Sequence, residues 1–127
     1  MNTPEQPLKN IPYTKDMLEQ FKVKGNQDYK DGDYKAAVTA YIEGLHACAQ
    51  YAEQWSDRLP YKNEFGPPPE LPNGQMYYQD FVRFKAVLNN NISMAFMKQK
   101  DYDRAHIYNN AAILEDPDYG KAVLRKC

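Results

Sequence analysis

The chain has no apolar run approaching the ~20 residues that a membrane-crossing helix needs. Its N-terminus, MNTPEQPLKNIPY, carries neither the basic start nor the apolar stretch of a secretion signal. Cysteine is scarce. Cys48 and Cys127 are too few for a disulfide framework and lack metal-ligand spacing. Reduced thiols in the cytoplasm or nucleus are the expectation, with Cys48 in the core of a helix. An excess of charge is missing too: 16 Lys and Arg against 17 Asp and Glu leave a formal net charge of −1. No global field then draws the chain to nucleic acid or membrane, so charge recognition must come from individual side chains. His46 and His106 stand singly on different predicted helices and read as surface or packing residues. There is no Ser/His/Asp or Cys/His set and no Gly-rich phosphate loop. DGDYK begins like a calcium loop but lacks the ligand run, so it reads as a turn. Catalytic, metal and cofactor roles are therefore not expected.

What is present is helical patterning within 127 residues, enough for one small domain with a core. Residues 1–13 contain Pro4, Pro7 and Pro12 and read as a flexible arm. Thr14 is placed to cap a helix over KDMLEQFKVKGNQDYK, where Met17, Leu18 and Phe21 form an apolar stripe. Gly32 suits the left-handed stop of that helix. Asp33 can cap the next, YKAAVTAYIEGLHACAQYAEQW, in which Val38, Tyr41, Ile42, Leu45 and Cys48 recur at helical spacing. Residues 56–74 hold five prolines and read as a loop. QMYYQDFVRFKAVLNNNISMAFMKQ predicts one long helix, with Phe81, Phe84, Leu88, Ile92 and Phe96 along one side. A fourth, DYDRAHIYNNAAILED, is capped by Asp101 and followed by Pro117, and YGKAVLRKC opens a fifth helical pattern. The fold class is all-α.

The two predicted hairpin turns resemble each other. Asp33-Tyr34 matches Asp101-Tyr102 and Ala37 matches Ala105, an offset of 101 − 33 = 68 residues, or twice 34. A 34-residue period with two antiparallel helices per unit is that of the tetratricopeptide repeat, which this chain resembles. The resemblance implies an array of helical hairpins. A first repeat covers about 18–51, with an extended second helix, a second covers about 86–119, and a third starts at 120; the insert separates the first two. The domain would span 14–127. Gly25, Gly32, Tyr34, Ala37 and Tyr41 suit the first repeat; Phe96, Tyr102, Ala105, Ala112 and Pro117 suit the second. Gly44, where the pattern has Ala, and Asn109, where it has an aromatic, depart from it.

The first helix of each such pair lines a concave groove, so its polar residues pose the functional question. Lys22 and Asn26 lie four apart on one helix face, and Lys121 and Arg125 four apart on another. Asn91 lies one period before Arg125, 125 − 91 = 34. These five are similar to the carboxylate clamp of chaperone-binding tetratricopeptide domains. The resemblance implies a co-chaperone-type adaptor that holds the acidic C-terminal tail, ending Glu-Glu-Val-Asp, of heat-shock protein 90 or heat-shock protein 70. By resemblance Lys22, Asn26 and Asn91 hold the terminal carboxylate, Lys121 pairs with the last Asp side chain, and Arg125 contacts the peptide. Asn90, at the position equivalent to Lys22, is a further candidate groove contact, whereas Asn89 falls where the repeat packs a large side chain. Charge-assisted hydrogen bonds to a carboxylate are the stronger kind, and a C-terminal carboxylate is a recognised mark.

The alternative is a scaffold that binds another protein through the aromatic and proline-rich insert. Only 13 residues precede the first helix, so the prolyl isomerase domain of some relatives is not expected here. A fifth helix stopping at Cys127 leaves an open end, expected to continue in a longer protein or to be covered by self-association.

Overall fold

A computed structural model describes residues 13–55, 59–62, 70–71 and 74–119. Its regular elements are α-helices, with no strand among the described residues: α1 (Lys15–Lys30), α2 (Tyr34–Trp55), α3 (Tyr78–Lys98) and α4 (Tyr102–Glu115). The backbone is helical again at 117–119. Each helix packs chiefly on the next: α1 on α2, α2 on α3, α3 on α4.

Local chemistry sets three of the four starts. The Thr14 hydroxyl accepts from the Met17 N–H at 3.3 Å, the Asp33 carboxylate from Ala36 N–H at 3.1 Å, and the Asp101 carboxylate from Arg104 N–H at 3.3 Å. Each satisfies an N–H that has no partner within its helix. Both hairpin turns close with the same pair of bonds. After α1, Asp33 N–H donates to Asp28 O and Gly32 N–H to Tyr29 O. After α3, Asp101 N–H donates to Phe96 O and Lys100 N–H to Met97 O. That motif puts one residue in the left-handed region. Gly32 takes it at φ +84 without strain, while Lys100 takes it at φ 61, which costs a residue with a Cβ about 1 kcal/mol. Gly32 and Lys100 stand 68 positions apart, 100 − 32, so the turns repeat in geometry at the spacing found in sequence.

The third helix is shorter than its periodicity suggests. It begins at Tyr78 rather than Gln75, and Tyr77 offers no side-chain cap. The backbone before it is engaged elsewhere: Met76 N–H donates to the Tyr51 hydroxyl and Tyr78 N–H to Pro60 O. The end of the insert is tied down at Gly74, whose carbonyl accepts from Lys15 N–H at 2.9 Å.

The core runs through all three helix contacts. Leu18, Tyr41, Cys48, Tyr51, Leu88 and Ile92 are its largest sealed side chains. Ala37 and Ala105 are buried at corresponding points of the two hairpins, where small side chains let backbones approach. Ser93 crosses from α3 to donate to Ala105 O at 2.6 Å. Gly44 stands where the pattern has Ala in a tight spot: a Cβ there would lie 3.1 Å from Phe21 Cβ and 3.2 Å from Leu88 Cδ1, so those neighbours would have to give by a few tenths of an ångström. Tyr51 stacks on Phe81, with ring centres 5.2 Å apart, and the Trp55 indole N–H donates to Tyr13 O. The aromatic segment after the insert thus covers the extended second helix.

Burial predicts how stability responds to alkali. It pushes the Cys48 thiol from 9.0 up to about 12, against a smaller opposing pull from Lys85. It pushes the Tyr41 phenol from 10.0 up to about 12 and raises Tyr51 as well. In each case the folded state holds its proton more tightly than the unfolded chain. Their contribution is therefore complete below the unfolded values and is lost as pH rises through the folded ones. Each unit inside a group's window removes about 1.4 kcal/mol. The urea midpoint is expected to hold up to about pH 9 and to fall steeply between there and 12. A midpoint unchanged across that window would contradict the burial of these groups.

Candidate functional site

A cavity of about 240 Å³ opens between the first hairpin and α3, lined by Asn26, Tyr29, Lys30, Tyr41, Asn91 and Met94. Two of the five clamp candidates, Asn26 and Asn91, therefore meet in one space although they come from different hairpins. α1 supplies Asn26, Tyr29 and Lys30 at positions three and four apart, which share a helix face. α3 supplies Asn91 and Met94 in the same way. Tyr41, on α2, forms a wall from the side of the core.

Tyr41 holds one of the two amides. Only 2% exposed, it donates its hydroxyl hydrogen to Asn26 Oδ1 at 2.5 Å. The bond from Tyr41 leaves the amide nitrogen of Asn26 unspent. Burial is the main reason the phenol is held at about 12; the electrostatics of Tyr29 and Asp28 add to it and the Asn91 side chain across the cavity opposes it. Tyr41 is thus a neutral hydrogen-bonding group at ordinary pH. Its ring lies so close over Gly25 that a Cβ there would fall 2.4 Å from Cε1.

Lys22 does not line this cavity. Its ammonium lies 3.4 Å from Glu19 Oε1 and 5.6 Å from the centre of the Phe84 ring on α3. The cation that borders the cavity is Lys30, one turn beyond Asn26. Asp28 does not line the cavity; its carboxylate pairs with Lys24 at 2.7 Å.

The neighbouring asparagines do different work. Asn89 is 7% exposed and donates back to Lys85 O at 3.2 Å, so its amide is satisfied within its own helix. Asn90 does not line the cavity; its amide nitrogen lies 3.6 Å from Met94 Sδ. Lys121 and Arg125 lie outside the described residues.

Both histidines are exposed, His106 with its ring against Asn110 at 3.1 Å. No His, Cys, Asp and Glu group among the described residues could hold a metal ion. No helix among them is long and apolar enough to cross a membrane. The described parts of the insert fold against the chain itself: Tyr61 stacks on Tyr78 at 4.7 Å, and the Lys62 ammonium pairs with Asp80 at 2.8 Å.

Tyr41 was not among the sequence candidates for the site. Its spacing marks the apolar face of α2, and a Tyr on such a face was the one signal available, because a buried hydroxyl needs a partner.

No family model, no curated protein and no solved structure matches the chain.

Proposed function

We propose that the chain is a tetratricopeptide-type adaptor, a binding module rather than an enzyme, whose groove takes the C-terminal carboxylate of an acidic chaperone tail. The meeting of Asn26 and Asn91 in one cavity carries this reading. The clamp resemblance names both residues, and two amides at one point can donate to a carboxylate without adding charge. Lys22 sits one turn before Asn26 on α1, where rotation of its long side chain away from Glu19 would bring a third donor. Lys121 and Arg125 complete the set, pairing with the last Asp side chain and the peptide. The ligand is the Glu-Glu-Val-Asp terminus of heat-shock protein 90 or heat-shock protein 70, and the adaptor works in the cytoplasm, where such tails are displayed.

The test is calorimetry with a short peptide ending Glu-Glu-Val-Asp, as the free acid and as the C-terminal amide. Micromolar-range binding is expected for the acid and at least about tenfold weaker binding for the amide, because a charged hydrogen-bonded group is lost. Added salt should weaken the acid's binding. Lys22→Ala or Lys121→Ala should weaken it too. Equal affinity for the two peptides would sink the clamp.

A further inference from the structure

An amide can present either its N–H donors or its oxygen to a ligand, and only the donors suit a carboxylate. Something must decide which way Asn26 faces. The side chain is on an exposed part of α1, where a free amide would take both orientations. In the structure its oxygen is occupied. Tyr41 reaches it from α2, and Asn91 lines the same cavity from α3. Tyr41 cannot swing away, because its ring is buried and pressed over Gly25.

We propose that Tyr41 is a positioning residue of the carboxylate site: its hydroxyl, donated to Asn26 Oδ1, turns the Asn26 amide so that it presents N–H donors to the cavity and favours an ionised carboxylate over a primary amide. The inference rests on the clamp reading for its ligand but not for its geometry. With Asn26 Oδ1 taken by Tyr41, α1 offers the space the Asn26 N–H pair and the Lys30 ammonium, which only donate, beside the Tyr29 hydroxyl, which can donate or accept. A carboxylate accepts at every lone pair. A primary amide brings donors of its own, which would meet those donors head on. One hydroxyl from α2 thus converts an orientable amide on α1 into a directional donor before any ligand arrives.

Two measurements test this. Tyr41→Phe keeps the ring over Gly25 and removes only the hydroxyl. It is expected to bind the free-acid peptide about tenfold more weakly, the worth of one such hydrogen bond. The amidated peptide should bind as before, so that the ratio between the two shrinks by that factor. Tyr51→Phe removes a comparably buried hydroxyl, one that accepts from Met76 N–H rather than from a cavity residue, and should leave the ratio unchanged. If Tyr41→Phe retains the full ratio, or if Tyr51→Phe loses as much, Tyr41 has no positioning role.

The second measurement needs neither peptide nor variant. By NMR of the unaltered chain, the Tyr41 hydroxyl hydrogen should exchange slowly enough to be seen, with close contacts to the side-chain amide of Asn26. A hydroxyl exchanging as fast as that of an exposed tyrosine overturns the proposal, even where Tyr41→Phe fails to fold. If the unaltered chain binds acid and amide alike, the clamp reading falls by itself, and this signal alone decides whether Tyr41 orients the Asn26 amide.

Discussion

Leu88→Ala is expected to lower stability by about 3–5 kcal/mol, the upper range for truncating a buried leucine. Leu88 is fully buried on α3, and its Cδ1 faces Gly44 on α2, close to Phe21 of α1. Three helices meet there, so a cavity left by the side chain is bordered by backbone on more than one side. Such a site collapses poorly, which puts the loss above the simple transfer value for the missing methyl groups. A domain of this size has about 5–15 kcal/mol in all, so the variant would sit near its unfolding threshold. The check is a urea titration followed by circular dichroism, with the slope compared to the parent. A companion variant sharpens it. Gly44→Ala adds a Cβ that meets Leu88 at 3.2 Å in the parent but would enter the vacated space in Leu88→Ala. The double variant should be more stable than the sum of the two single losses. A Leu88→Ala loss below about 1 kcal/mol would mean that the three helices do not meet as described.

What was legible in the sequence was local. Thr14, Asp33 and Asp101 were readable as caps because their partners lie two or three residues on, and α1 and α2 begin and end where those signals put them. The buried stripe of α3 was readable because Phe81, Phe84, Leu88 and Ile92 recur at helical spacing. Its start was not, because the spacing continues back through Gln75 while Tyr51 and Pro60, distant in sequence, claim the backbone N–H groups. Gly44 looked like a departure from a pattern, and the tightness of its surroundings is something only the neighbouring helices reveal. The same division runs through the site. The clamp resemblance paired Asn26 with Asn91, but which residues border the cavity depends on rotamers and helix crossings. Hence Lys22 faces Glu19 and Phe84, while Lys30 and Met94, which the resemblance did not mark, face the cavity. Asn89 shows why a polar residue in a helix need not be functional: its amide answers to the carbonyl one turn back.

Gly25→Ala should destabilise the chain by about 2 kcal/mol, although alanine is the better helix former. Gly25 is interior to α1, where removing a glycine ordinarily gains up to about 1 kcal/mol. Here the new Cβ would lie 2.4 Å from Tyr41 Cε1 and 2.6 Å from Cδ1, well inside contact distance. The ring must move, and it is a buried, hydrogen-bonded group rather than the free end of a flexible chain. Overpacking of that kind costs about 1–3 kcal/mol. The displaced hydroxyl loses its bond to Asn26, about 1 kcal/mol more. The sum outweighs the helix gain. The variant should therefore show a lower urea midpoint with an unchanged slope, and weaker binding of the free-acid peptide because the Tyr41 bridge is broken. The two effects separate by comparison with Tyr41→Phe, which breaks the bridge without the overpacking. The expectation is equal loss of acid-over-amide selectivity in both variants, but a much larger loss of stability in Gly25→Ala. A stabilised Gly25→Ala would show that Tyr41 does not lie over α1 at this point, and with it would go the geometry that orients Asn26.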